Sequence, residues 1–241
     1  CRPYTYKKND AFTMSITKQN TFILLMLLLA LFVGSCRKQY HATEVDMADY
    51  GWFLFESAVI QSDYTDSKNW FLSSVNEDTM YMDGYNGLGW SYGKITDLDS
   101  SLYYFEKGLN FLPSLYDTTN LHHEIWAGLC FVNNAMGLDS LAIIWGNNLI
   151  NSLTTGLSSN PWIFTHNNIN SSNIINLLDL RVTMAASHFA EGEFDNSVAH
   201  LRTILTELSG SSTFNPDVNT VSGRYELAVW IDSLQTILLT Q

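Results

Sequence analysis

The chain has 241 residues, with 12 basic and 24 acidic side chains, a formal net charge of −12 and 46% hydrophobic residues. This apolar fraction is enough to bury a core, so the composition excludes a chain that is disordered throughout. The acidic balance argues against a nucleic-acid-binding protein, which needs a basic surface, and three cysteines are too few for a disulfide framework.

The first predicted element is an apolar segment, residues 22–33, whose twelve side chains are all hydrophobic. A membrane-spanning helix needs about 20 such residues, whereas the core of a secretory signal peptide has about 7–15. Lys18 places a positive charge ahead of the segment, and the small residues Gly34 and Ser35 follow it. The pattern predicts a signal peptide that starts at Met14 and ends at Ser35, preceded by an upstream extension of the reading frame.

Residues 31–36, Leu-Phe-Val-Gly-Ser-Cys, resemble a bacterial lipobox, in which an aliphatic residue stands three places before the cysteine and small residues fill the next two. The resemblance implies cleavage before Cys36 and attachment of a diacylglycerol to its thiol, and several acyl chains together anchor a protein stably. Removal of residues 1–35 takes away four basic residues and one acid, which leaves a net charge of −15. Residues 36–46 then form a lipidated N-terminus and a tether. Secretion with cleavage near Ser35, and a short buried helix with a chance cysteine, remain alternatives.

The spacing of apolar residues in 85–113 predicts two amphipathic helices, joined by a polar turn at Thr96-Asp97. Asp97 and Asp99 are placed to cap the second helix. The segment resembles a tetratricopeptide repeat, a helix-turn-helix unit of about 34 residues, and Gly89 is expected to let its two helices approach closely. The places of the family pattern are filled, at the family's spacing, by Tyr85, Leu88-Gly89, Tyr92, Ser101, Phe105, Gly108 and Pro113.

Three more helix pairs are predicted around this repeat. Ser67 and Phe71 precede Ser101 and Phe105 by one repeat length. Later segments again place apolar residues on one face of a predicted helix. The predicted repeats cover residues 47–76, 82–115, 121–152 and 174–208, and a capping helix covers 223–239. The predicted fold class is all-α, a right-handed superhelical solenoid of about four tetratricopeptide-like helix pairs with a C-terminal capping helix, in one domain of residues 47–241.

The sequence lacks a phosphate-binding glycine loop, a His-Glu-x-x-His zinc motif and a Gly-x-Ser-x-Gly elbow. Adjacent residues on a helix point about 100° apart, so His122 and His123 are poorly placed to share a metal ion. With Glu124 they are interpreted as a surface helix start. His188 and Glu191, an i,i+3 pair, are interpreted as a packed or solvated histidine with its neighbour. No catalytic residue, metal or cofactor is predicted.

A loop before the last repeat contains unusual residues. Residues 162–170, Trp-Ile-Phe-Thr-His-Asn-Asn-Ile-Asn, place large apolar side chains beside a histidine and amides within an otherwise polar stretch. Loops with such residues often have a function. Trp162, Phe164 and His166 are therefore candidate functional residues of unassigned role. The favoured alternative is that Trp162 and Phe164 hold a long loop against the helices.

In tetratricopeptide proteins the first helices of the pairs line a concave groove that binds peptides or protein segments. The resemblance therefore implies a membrane-anchored protein–protein interaction scaffold, not an enzyme, and the negative charge favours a basic or neutral partner. By repeat position the groove would be lined by Asp83, Asn86, Trp90, Lys94, His122, Ile125, Leu129 and Asn133.

Arg37 stands where an Asp commonly retains such lipoproteins in the inner membrane. The resemblance therefore implies the outer membrane of a bacterial cell envelope. Two other functions remain open: a glycan- or small-ligand-binding lipoprotein of an uptake system, and an enzyme that uses His166 or His188 with Glu191.

Overall fold

The structure, a computed structural model, describes residues 41–111, 121–155, 161–171 and 173–238, together with Ile23 and Met26. In these residues all regular secondary structure is helical, apart from an isolated antiparallel bridge between Ile163 and Asn176. The prediction of an all-α protein is confirmed. The chain divides into two units, Cys1–His41 and Ala42–Gln241, and the helices named below belong to the second.

Nine helices occur in the described part of Ala42–Gln241. Most lie within a few residues of their predicted positions, and the sixth helix continues to Thr155, three residues beyond the predicted end of the third repeat at residue 152. The helices are α1 (Glu44–Ser57), α2 (Asp63–Glu77), α3 (Met82–Lys94), α4 (Leu98–Leu109), α5 (Leu121–Ala135), α6 (Asp139–Thr155), α7 (Leu177–Ala190), α8 (Phe194–Ser209) and α9 (Val221–Leu238).

Side-chain caps determine where several helices begin. Thr43 and Asp46 form a capping box in which each side chain accepts the other residue's N–H, so α1 starts three residues before its predicted position. Asn176 and Asp179 form a second capping box at α7. The Asp97 side chain accepts the Ser100 N–H at 3.2 Å and caps α4, as the sequence predicts.

The turns inside three helix pairs share one backbone geometry. The middle residue of each turn has a positive φ, which is 64° at Thr96, 72° at Gly137 and 79° at Gly192. The residue after it donates its N–H to the carbonyl oxygen five positions earlier, at 2.8–3.0 Å. This is a Schellman closure, which satisfies a carbonyl at the end of the first helix. The α1–α2 connection is longer, as the sequence predicts.

The helices pack mainly against their neighbours in the chain, and α1, α3, α5 and α7 also contact one another in series. The larger core cluster extends from Ala48 in α1 to Met184 in α7 and includes Trp162 and Phe164 from the loop before α7. The second cluster joins α7, α8 and α9, with Phe214 from the α8–α9 connection. Helix α9 contacts α7 and α8, so it packs against the last pair.

Phenylalanines of the second helices occupy spaces left by glycines of the first helices. Phe71 lies against Gly51 and Gly87, and Phe105 lies against Gly89 and Gly128. A Cβ atom added to Gly89 would lie 2.5 Å from the Phe105 ring, so the predicted close approach of these helices is confirmed.

Among the described residues, no helix is both long enough and apolar enough to span a membrane. The predicted signal peptide, apart from Ile23 and Met26, and the lipobox with Cys36 lie outside the described residues. Pro113, the last place of the clearest repeat pattern, also lies outside them.

Candidate binding site

The loop before α7 closes on itself and returns to the first helix of the domain. We call residues 161–171 and 173–176 the returning loop. The N–H of Phe164 donates to the Ile175 carbonyl, and the N–H of Leu177 donates to the Trp162 carbonyl, both at 3.0 Å. The Asn167 amide donates to the Phe164 carbonyl at 2.6 Å and accepts the Ile175 N–H at 2.7 Å. Asn167 therefore fixes the shape of the loop.

Amide groups of the returning loop cap the C-terminal end of α1. The last carbonyls of a helix have no partner inside it, so they need donors from elsewhere. Three consecutive carbonyls receive such donors here, about 110 residues away in sequence. The bonds are Ile169 N–H to Glu56 (2.9 Å), Asn170 Nδ2 to Ser57 (3.2 Å) and Asn168 Nδ2 to Ala58 (2.6 Å).

Aromatic side chains attach the loop to α1 and α3. The Phe164 ring centroid lies 4.3 Å from that of Trp90 and 6.2 Å from that of Trp52. The His166 ring stacks on Trp52, with centroids 3.7 Å apart and planes inclined by 5°. Its Nδ1 lies 2.7 Å from Oε1 of Glu56. The loop therefore covers the face of α1 and α3 that the sequence predicts to line an open groove.

Two carboxyl groups lie under the loop. Glu124 of α5 is 2% exposed, accepts the Asn86 side-chain amide at 2.8 Å, and accepts the Thr165 N–H at 3.1 Å. Burial raises the pKa of Glu124, and the hydrogen bonds from Thr165 and Asn86 oppose that rise. Asp83 accepts the indole N–H of Trp52 at 2.9 Å, and burial likewise raises its pKa.

Replacing Glu124 by glutamine should change how stability depends on pH. The folded protein holds the Glu124 proton more tightly than the unfolded chain, so ionisation of Glu124 destabilises the fold. The free energy of unfolding therefore falls as pH rises through the unfolded pKa of about 4.3 towards the raised folded pKa. Glu124→Gln removes this contribution. Its stability relative to wild type, measured by urea unfolding, is expected to rise as the pH increases above about 4.

The glutamine variant can keep both contacts. Its carbonyl oxygen accepts the Thr165 N–H, and Oδ1 of Asn86, which has no hydrogen bond among the described residues, can turn to accept the new amide. Glu226→Gln is the matched control, because it removes one carboxyl group at an exposed position on α9. Stability curves of Glu124→Gln and wild type that stay parallel across this range would contradict the assignment.

A pocket of about 690 Å³ opens between the returning loop and the helices beside it. This volume lies within the usual range for small-molecule or side-chain binding sites. Lys94 of α3 and Asp179 of α7 supply opposite charges to its wall. Lys94 keeps access to solvent, but partial desolvation by the surrounding protein lowers its pKa. Burial raises the pKa of Asp179, and each charge partly offsets the effect on the other. The pocket therefore presents a cation and an anion within a partly desolvated wall.

Two exposed aliphatic side chains lie at the rim of the pocket. Val59, directly after α1, lines the pocket and is 78% exposed, and Ile174 of the returning loop lines it and is 53% exposed. Ile169 is also exposed on the same loop. Exposed apolar groups around a concave site are typical of surfaces that bind a partner.

Most of the residues predicted to line the groove are inaccessible. Asp83 and His122 are half-buried, and Lys94 is exposed. Phe164 covers Trp90, and Glu124 holds Asn86 inside the helix packing. This corrects the expectation that the set forms an open surface. The buried members are Asn86, Trp90, Ile125, Leu129 and Asn133.

The carboxylate that His188 contacts is Glu193, not Glu191, which the enzyme alternative pairs with it. Nδ1 of His188 lies 2.7 Å from Oε2 of Glu193, because the turn after α7 brings that carboxylate back over the helix end. Glu191 instead accepts the hydroxyl of Ser140 at 2.6 Å. His188 is buried, as the packed-histidine interpretation predicts.

The three residues at the start of α5 have different environments. Glu124 is buried, so the whole segment is not a surface helix start. Nε2 of His123 lies 2.8 Å from the Ser152 hydroxyl, and burial lowers the pKa of His123 to about 4. The described residues contain no group of three or more His, Cys, Asp or Glu side chains placed to hold a metal ion.

The residues Trp162, Phe164 and His166 mark the returning loop in the sequence, but the groups that hold the loop have no such mark. Glu56 and Glu124 were missed because charged residues at helical spacing usually face solvent. The run of asparagines was the available signal, since side-chain amides often satisfy backbone groups.

The chain matches no known family model and no curated protein.

Proposed function

We propose that this protein is a lipid-anchored helical-repeat scaffold of the bacterial cell envelope that binds a segment of a protein partner. The anchor in this proposal is a diacylglycerol on Cys36, and the membrane is the outer membrane. The binding site is the pocket beside the returning loop. The observation that bears most on this function is the combination of an aliphatic rim with two opposite charges inside the pocket.

The repeat organisation in this proposal is a solenoid of four tetratricopeptide-like helix pairs, α1–α2 to α7–α8, capped by α9. The shared turn geometry of three pairs and the serial contacts of α1, α3, α5 and α7 support it. A serine of the second helix also bonds to a backbone carbonyl of the first in three of the four pairs. These bonds are Ser67 to Gly51 (2.9 Å), Ser101 to Gly89 (2.7 Å) and Ser197 to Ala185 (2.7 Å).

A protein partner fits the pocket better than a glycan does. Asn167, Asn168 and Asn170 each already direct a side-chain amide N–H to a backbone carbonyl, so part of their donor capacity is engaged. Val59 and Ile174, which are among the exposed side chains at the rim, offer apolar area rather than hydrogen bonds. Such a rim suits an apolar side chain of a peptide, and the Lys94–Asp179 charges suit its polar groups. A glycan- or small-ligand-binding protein is the second candidate, supported by the pocket volume alone.

A displayed library of random peptides tests the proposal. Selection on the immobilised protein should enrich a sequence with an apolar residue, and binding of that peptide should saturate. Val59→Asp should weaken its binding at least tenfold, about 1.4 kcal/mol, because a carboxylate would replace the apolar rim.

The matched control is Val221→Asp, at the start of α9. Val221 is 77% exposed, and Val59 is 78% exposed. The control variant should bind the enriched peptide with wild-type affinity. Equal binding of the peptide by Val59→Asp and Val221→Asp would show that the pocket is not the binding site. Binding to a glycan array, with no peptide enriched from the library, would favour the second candidate.

A further inference from the structure

An aromatic cluster is exposed on the first helix pair. Tyr50 and Phe53 of α1 and Trp70 of α2 are 44%, 58% and 39% exposed. The ring centroids of Tyr50 and Phe53 are 5.9 Å apart, and those of Tyr50 and Trp70 are 4.7 Å apart. We call these three side chains the aromatic patch. They form one surface across the two helices.

The patch faces away from the helix packing. Helices α1 and α2 contact each other and α3 among the described helices. Trp52 and Phe55, on the opposite side of α1, are buried and hold the returning loop, whereas Tyr50 and Phe53 are exposed to solvent. A contiguous patch of exposed aromatic side chains is typical of an interaction surface.

We propose that the aromatic patch rests in the headgroup region of the bilayer that holds the lipid anchor, and so orients the domain on the membrane. The inference rests on the proposed acylation of Cys36. Tyrosine and tryptophan suit this depth because each has an apolar ring and a polar group that stays hydrated. The patch is expected to contact the bilayer through its aromatic rings and not through basic side chains.

The position of the patch along the chain supports this occupant. Thr43, which caps α1, follows Cys36 by seven residues, and seven residues of chain can span at most about 25 Å. At 1.5 Å per residue, Tyr50 and Phe53 lie about 10–15 Å further along α1. An anchored domain is therefore held close enough for its first helix pair to meet the bilayer at high effective concentration.

Charge specifies the kind of bilayer. Asp49 precedes Tyr50 on α1, Asp66 lies one turn before Trp70 on α2, and both are exposed. Carboxylates beside the rings are repelled by anionic lipid and tolerated by zwitterionic headgroups. The patch should therefore contact phosphatidylcholine more than a mixture of equal parts phosphatidylcholine and phosphatidylglycerol.

The experiment measures tryptophan quenching on the full chain, purified in detergent from bacterial membranes and reconstituted into vesicles. The vesicles contain phosphatidylcholine brominated near the headgroup end of one acyl chain. Trp70 should be quenched, so the quenched part of the emission should fall about twofold or more in Trp70→Phe, which keeps an aromatic ring but removes the reporter. Trp230→Phe, at a comparably exposed tryptophan on α9, should leave the quenched part unchanged.

A second variant removes the patch and keeps the reporter. Tyr50→Ser with Phe53→Ser should reduce quenching of Trp70 by a similar factor while the vesicles still float with the protein, because the anchor is intact. Both substitutions are at exposed positions, and unchanged far-ultraviolet circular dichroism checks the fold.

Each outcome decides between the proposals. If the protein floats with the vesicles but quenching is the same in wild type and Trp70→Phe, the proposed membrane contact of the patch is wrong and the anchor at Cys36 stands. If the wild type is an unquenched dimer and the patch variant is a monomer, the aromatic patch binds a second copy of the chain, and the membrane proposal is overturned. Wild-type protein without acyl label, or Cys36→Ser that still takes up the label and floats, overturns the anchor at Cys36 and this proposal with it.

Discussion

Replacing Phe164 by alanine is expected to lower the free energy of unfolding by about 3–5 kcal/mol, the usual loss for a fully buried phenylalanine. Phe164 is 1% exposed and lies between Trp52, Phe55 and Trp90. Removing the ring leaves a cavity bounded by rigid aromatic side chains, which cannot collapse easily to fill it. Equilibrium unfolding in urea measures the loss.

The effect should extend beyond the cavity, because Phe164 is one of the contacts that hold the returning loop on α1. The loop's amides cap the carbonyls of Glu56, Ser57 and Ala58. In Phe164→Ala the Ile169 N–H, which donates to Glu56, should exchange with solvent faster than in wild type. Hydrogen exchange therefore separates loosening of the loop from a uniform loss of stability.

Ile163→Ala is the matched control for this prediction. Ile163 is the preceding residue, but its side chain is 52% exposed, so its truncation should change stability by no more than about 0.5 kcal/mol. If Phe164→Ala and Ile163→Ala were equally stable, the returning loop would not be packed into the core as described.

The helix pairs were predictable because their signals are local. Gly89, Ser101 and Phe105 have the spacing of a repeat, and all three meet between α3 and α4. Asp97 stands directly before α4, where a side chain of its type can reach the first free N–H groups. Each of these contacts joins residues less than 20 positions apart, so the pattern of the sequence is enough to predict it.

The site was harder to predict because its contacts join distant residues. The repeat pattern places Asn86 and Trp90 of α3 on the predicted groove, but it does not say what covers them. The answer, Phe164 and a buried Glu124, comes from other parts of the chain. The turn after α7 similarly decides that His188 meets Glu193. Such pairings depend on tertiary packing that local patterns do not encode.

Gly87→Ala is expected to destabilise the protein by about 2 kcal/mol or more, although alanine is the better helix former. Gly87 lies on α3, and a Cβ atom there would lie 2.3 Å from the Phe71 ring of α2. The ring also contacts Gly51 of α1, so it has little room to move away. Substitution must therefore separate the first two helix pairs or force Phe71 out of its rotamer.

Gly93→Ala, in the same helix, is the matched control. The nearest atom to a Cβ at Gly93 is Oγ of Ser101 at 3.4 Å, an ordinary contact. This variant should gain about 0.5–1 kcal/mol, because alanine loses less backbone entropy than glycine when a helix forms. Urea unfolding of both variants should therefore shift the midpoint in opposite directions.

A second substitution identifies the cause of the Gly87→Ala loss. Phe71→Leu makes room beside residue 87. The double variant should therefore lose less stability than the two single variants combined, and the difference, the coupling free energy, should be about 0.5–3 kcal/mol. Additive losses would mean that the methyl group does not meet Phe71. Because Phe105 lies between Gly89 and Gly128 in the same way, that result would also argue against a repeated glycine–phenylalanine contact as the basis for stacking the helix pairs.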